Sequence, residues 1–174
     1  MPRVKGIKKN QKKVYNDEQT TLLLNSLQIF YVNNRDYLEL INLIITNKRQ
    51  IKLAMIDYVV TIYSKKNKSF IPLVDDSYFI NDEYKNQLKS YTKRHFDPFK
   101  RHKKITFQYD DIEFQTTVGQ LNFLKWAIQN KVIHFIEDNF STIDSAMSKH
   151  LEEKKAKGEA KKAALKAKAL QSEV

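Results

Sequence analysis

Lys104-Ile105-Thr106-Phe107-Gln108-Tyr109-Asp110-Asp111-Ile112-Glu113-Phe114-Gln115-Thr116 is the stretch that decides the fold class. Ile105, Phe107 and Tyr109 alternate with Thr106 and Gln108, the two-residue period of a half-buried strand. Ile112, Phe114 and Thr116 repeat that period on the return. Asp110-Asp111 makes the turn between them, without the glycine that tight hairpins favour. One short antiparallel hairpin over about 104–116 is therefore predicted. Thr117-Val118-Gly119-Gln120 follows with the spacing of a capping box, Gln120 standing three residues after the cap Thr117. The helix it opens carries Leu121, Leu124, Trp126, Ala127 and Ile128, and a further one carries Val132, Ile133, Phe135 and Ile136.

Before the hairpin the period is helical. A helix is predicted to begin near Asn16–Glu18, where acids suit a first turn, with Leu22, Leu23, Leu27, Phe30 and Tyr31 near helical spacing. Asn33 or Asn34 can cap the next, in which Leu38, Ile41 and Ile45 recur and Asn42 is the polar intruder. From about Arg49, Ile51, Ala54, Met55, Tyr58, Val59 and Ile62 form one apolar stripe. Ser69–Val74 is strand-like, but Pro72 limits it to an edge or a loop. Asn81-Asp82-Glu83 opens a helix to about Arg94, with Tyr84, Leu88 and Tyr91 on one face. From Ser141 the pattern is a helix that outlives the core, because Lys, Ala and Glu dominate after His150; it reads as frayed from about 155. The reading is an α+β fold: a single, mainly helical domain over 16–148, a disordered basic arm over 1–15 and a Lys/Ala-rich helical or frayed tail over 149–174.

The chain has 174 residues, enough for one ordinary domain of about 100–150 residues plus tails. Its 41% hydrophobic and 11% aromatic content is too high for a wholly disordered chain. The unbroken apolar run Ile29–Val32 ends at Asn33, far short of the roughly 18–20 residues of a membrane span. Residues 1–13 hold no apolar stretch of the secretory-signal kind. The absence of cysteine excludes disulfides, thiolate metal sites and a cysteine nucleophile. Three glycines, Gly6, Gly119 and Gly158, cannot build a glycine-rich phosphate loop.

Charge is the informative property. The net charge of +11 is clustered, with +6 in residues 1–13, +5 in 47–68, +6 in 89–104 and +4 in 149–174. Such clusters suit a polyanion, because neutralising successive phosphates releases condensed counterions; the alternative is a set of solvated faces. In Lys89–Tyr109 the cations Lys93, Arg94, Lys100, Arg101, Lys103 and Lys104 interleave with Tyr91, Phe96, Phe99, Phe107 and Tyr109. Exposed aromatics there would stack on single-stranded bases. Phe96 and Phe99 read better as staples holding the loop to the core, and Trp126 as core, with the cations touching phosphate. That combination predicts binding without base reading.

Three blocks carry a resemblance. Ile51–Tyr58 with Thr61–Asn67, then Tyr84–Tyr91 with His95-Phe96-Asp97-Pro98-Phe99, then Thr116–Phe123 with Lys125-Trp126-Ala127-Ile128, resemble an uncharacterised conserved family of nucleocytoplasmic large DNA viruses, the giant viruses. The departures are Tyr58 in place of Trp, Lys100 where Cys is frequent, and Leu124 in place of a second Phe. The resemblance covers over half the chain and implies a viral product acting in host cytoplasm, a viral factory or the virion. It transfers no catalytic residues.

Two constellations invite an enzyme reading. His95, Asp97 and His102 could suggest a metal or hydrolytic site, but a helix end running into a turn, with Asp97 capping and Pro98 fixing the backbone, explains them. Asp110, Asp111 and Glu113 could suggest Mg²⁺, but acids at a hairpin tip are ordinarily a solvated turn. No matched acid, base and nucleophile stands out, so neither metal nor cofactor is expected. The expected function is non-enzymatic association with nucleic acid, DNA or RNA, through Lys93, Arg94, Lys100, Arg101, Lys103 and Lys104. The alternative is a minor capsid or scaffold component docking on other virion proteins.

Overall fold

The computed structural model describes residues 7–72, 77–99 and 101–171. Helix α1 spans Ile7–Val32 and α2 Arg35–Ile45. Helix α3 (Leu53–Tyr58) winds through a π-helical turn (Val59–Tyr63) into α4 (Ser64–Asn67). Strands β1 (Phe70–Pro72) and β2 (Ser77–Phe79) precede α5 (Ile80–Ser90). Strands β3 (Ile105–Tyr109) and β4 (Ile112–Thr116) lead to α6 (Val118–Gln129), α7 (Val132–Asp138) and α8 (Phe140–Gln171). The fold is a mainly helical α+β domain.

The predicted hairpin is present, pairing Ile105 with Thr116 and Tyr109 with Ile112. Phe107, Ile112 and Phe114 are buried. Phe107 and Phe114 are cross-strand partners, and their rings stack 5.4 Å apart. Asp110 supplies the turn conformation glycine would have given, at φ 51°, a region that Asp tolerates better than most residues. The tip is solvated as expected, Asp110 and Asp111 being 60% and 80% exposed, and the Arg35 guanidinium donates to Asp110 at 2.8 Å and to Asp111 at 2.6 Å.

The core is continuous. Leu27 and Tyr31 of α1, Leu38, Ile41 and Ile44 of α2, Ile56 and Val60, and Leu121, Phe123 and Leu124 of α6 are all fully buried. The Tyr31 hydroxyl donates to Leu121 O at 2.8 Å, fastening α1 to α6. Helix α2 ends in a Schellman motif: Asn47 is left-handed at φ 59°, Asn47 N–H donates to Ile44 O, and Lys48 N–H donates to Leu43 O.

Several boundaries differ from the sequence reading. Helix α1 starts at Ile7, not near Asn16, so the expected arm over 1–15 overlaps it; residues 1–6 lie outside the described set. The Lys- and Gln-rich residues after Gly6 are good helix formers with no Pro or Gly among them. Asn34 occupies the N-cap position of α2, but its amide donates backward to Phe30 O. Helix α5 stops at Ser90, four residues before Arg94. Phe70–Pro72 pairs with Ser77–Phe79, a second two-stranded sheet that accommodates Pro72 because every strand in it is an edge. Of the stripe expected from Ile51 to Ile62, Ile51, Met55, Tyr58 and Val59 are buried, while Ala54 and, within the π-turn, Ile62 are exposed; Ile56 and Val60 are buried as well. Helix α8 continues to Gln171, with residues 151–168 exposed throughout.

Candidate nucleic-acid interface

The loop from Tyr91 to Lys104 links α5 to β3, and the start of α6 holds it in place. Phe96, 1% exposed, sits among the rings of Tyr84, Tyr91, Phe123 and Trp126. It staples the loop to the core, the expected role, and does not offer its ring as an exposed platform. The backbone is stitched at three points: Asp97 N–H donates to Gly119 O, Asn122 Nδ2 to His95 O, and Gln120 Nε2 to Pro98 O. Gly119 permits this approach, because a Cβ there would lie 2.9 Å from Arg94 O. Thr117 caps α6 as expected, its Oγ1 accepting from Gln120 N at 3.1 Å. The Gln120 side chain does not close the box; it bridges Thr116 and Pro98 instead.

The six predicted cations have different fates. Lys93, Lys103 and Lys104 are exposed, and Arg94 is half-buried. Lys100 lies outside the described residues. Arg101 forks onto Asp97, with Nε to Oδ2 at 2.8 Å and Nη2 to Oδ1 at 2.6 Å, and its guanidinium lies 5.5 Å from the Phe99 ring centre. The Asp97 carboxylate is 3% exposed, so its negative charge is neutralised locally. That engages part of the Arg101 donor fork, although the Arg101 side chain is itself 65% exposed.

Arg94 and Lys103 line one cleft together with His102. Thr20, Thr21 and Leu24 of α1 form the facing wall, and Thr117 and Val118 at the N-terminus of α6 close the end. Two cations, hydroxyls and a helix N-terminus make an environment for an anion. The cleft volume of about 130 Å³ is below the roughly 300 Å³ of sites that enclose whole small molecules. It matches one phosphate group better than a cofactor. The threonines of α1 and the role of His102 in this wall were not legible in the sequence, because residues some 80 positions apart meet there.

Both ring nitrogens of His95 face hydroxyls. Its Nε2 is 2.7 Å from Thr20 Oγ1 and its Nδ1 3.5 Å from Thr92 Oγ1. Burial, then the charges of Arg94 and His102, lower its pKa. Asp57, also unnoticed in the sequence, lies near Asp97 and Arg101; burial raises its pKa, Arg101 opposes that and Asp97 adds to it. Among the described residues no three His, Asp or Glu side chains are grouped to hold a metal ion, and no helix is long and apolar enough to cross a membrane.

A family model described as a family of unknown function, DUF7197, matches residues 3–174. The chain belongs to this family. It is similar to "Uncharacterized protein L507" of Acanthamoeba polyphaga mimivirus, with 34% identity over 145 residues. The match covers 78% of this chain and 56% of that protein, so the chain spans a little over half the length of its giant-virus relative. No solved structure matches. The second and third blocks of the resemblance, around His95–Phe99 and Thr116–Phe123, are the two halves of the stitched seam that carries the cleft.

Proposed function

We propose that this protein is a non-enzymatic viral factor that associates with nucleic acid through its phosphates, without reading base sequence. The cleft that joins Arg94, His102 and Lys103 to the N-terminus of α6 supports the reading. Exposed Lys93 and Lys104 flank it in sequence, extending positive charge beyond a single phosphate. The lysines of α8 would add affinity of no particular specificity. Its place of action would be a viral factory in host cytoplasm or the virion.

The test is a salt series on duplex DNA with wild type and the Arg94→Gln/Lys103→Gln double variant, with circular dichroism confirming the fold. Each lost phosphate contact flattens the log–log slope by roughly 0.9 on duplex, so losing the one phosphate this cleft holds should remove about 0.9. The weakening should be the same for unrelated base sequences. Identical affinity and slope for both proteins would reject the cleft as a phosphate site.

A second reading, a virion structural component, has its own observation. Leu22 and Ile29, seven residues apart on α1, are 70% and 63% exposed. An apolar pair on one helix face suits docking on a protein neighbour.

A further inference from the structure

A second cleft opens between the π-turn and α8. In an α-helix of 3.6 residues per turn, Tyr58 and Tyr63 would fall on different faces. Across the π-turn Ser64 N–H donates to Val59 O, a five-residue step, and the two rings lie on one side, 6.2 Å apart. The wider turn leaves carbonyls for another partner, and buried Asn81 answers: its Nδ2 donates to Val60 O at 2.7 Å and lies 3.4 Å from Thr61 O. From α8, His150 adds a third ring, 5.5 Å from Tyr58. Small side chains, Thr142 and Ala146, occupy the same face of α8 and keep the cleft open. Exposed Lys66 and Lys149 line it from the two elements.

We infer that this cleft binds single-stranded nucleic acid, a base stacking against Tyr63 and His150 while Lys66 and Lys149 take the flanking phosphates. Aromatic faces accept any unpaired base and lysines track the backbone, the combination that favours single strands over duplex. Paired bases cannot present their faces to these rings. Glu153 also lines the cleft, so the phosphates lie toward the lysines and away from it. The inference deepens the nucleic-acid reading by naming a strand form, and it stands on residues separate from Arg94 and Lys103.

Fluorescence anisotropy with a labelled twelve-nucleotide oligothymidylate and a labelled twelve-base-pair duplex tests it on the full chain. Tyr63→Ala should weaken oligothymidylate binding between about five- and a hundredfold and leave duplex binding within twofold. Tyr63→Phe, which keeps the ring, should bind as wild type. Glu153→Gln should tighten the oligothymidylate complex by removing a like charge. Unchanged oligothymidylate affinity in Tyr63→Ala, or an equal loss on both probes, overturns the inference. Failure of the Arg94/Lys103 salt test alone would leave it standing, because the variants share no residue.

Discussion

Gly119 shows how much one missing methyl can position. A Cβ there would meet the carbonyl of Arg94 at 2.9 Å and the amides of Phe96 and Asp97 at 3.3 Å, all backbone atoms that cannot swing aside. Gly119→Ala should cost about 1–3 kcal/mol, seen as a fall in Tm of roughly 2–4 °C per kcal/mol for a chain of this size. The same substitution should displace Arg94 and weaken duplex binding. An unchanged Tm would mean that the seam is softer than its contacts indicate. His95, two residues before this contact's far side, gives a pH signature. Its pKa is lowered in the folded state, chiefly by burial. The unfolded chain therefore binds more protons below the ordinary value of about 6.5, so stability present above that pH is lost as pH falls through it. Asp57, with a raised pKa, has the opposite sign: folding gains from it as pH falls toward the ordinary carboxylate value. Thermal melts from pH 8 to 5 should show the His95 loss in wild type and a flatter profile in His95→Gln.

Elements were legible where their period was unbroken. The strands Ile105–Tyr109 and Ile112–Thr116 were readable because alternation over five residues has no helical equivalent. Thr117 was readable because capping is local. The π-turn was not, since one extra residue rotates every later side chain without altering composition. Its partner Asn81 lies about 20 residues away, across two short strands that carry too few residues to show a period. Asn81 therefore offers a test of the element. Asn81→Ala leaves the Val60 carbonyl buried without its donor and should cost about 1–3 kcal/mol. Because it loosens the turn holding Tyr58 and Tyr63, it should also erode oligothymidylate binding before duplex binding. The α6–α7 connection gives a prediction of the opposite sign. Lys131 is exposed and held at φ 56°, where a side chain is strained and glycine is not. Lys131→Gly should raise stability by about 0.5–1 kcal/mol in urea melts, with no change in m.

At the scale of the whole molecule, the division between core and charge explains why the site was only half readable. Clustering of Lys and Arg in residues 89–104 was visible in one dimension, but not that Asp97 would bind Arg101 or that α1 would wall the cleft. Those facts depend on the seam between two distant blocks. The Lys/Ala-rich segment posed the reverse problem: its helical propensity was plain, while its length beyond the core depended only on having nothing to pack against. In α8 every residue from Leu151 to Lys168 is exposed, so its backbone hydrogen bonds lack tertiary support. Hydrogen exchange there should be fast, although α1 and α6 share one protected core. Changing Lys157, Lys161, Lys162, Lys166 and Lys168 to Gln should leave the Tm within what ±0.5 kcal/mol permits. It should flatten the duplex salt slope by at most about 4.5, one contact at a time. The ratio of oligothymidylate to duplex affinity should not move, because a helix with no fixed neighbour senses charge and not strand shape. The Tyr63→Ala variant should move that ratio and leave the salt slope nearly as it was. If the five-lysine variant instead melts lower, or if α8 exchanges slowly beyond Leu151, the extension is packed against another chain, and the docking role suggested by Leu22 and Ile29 becomes the leading account.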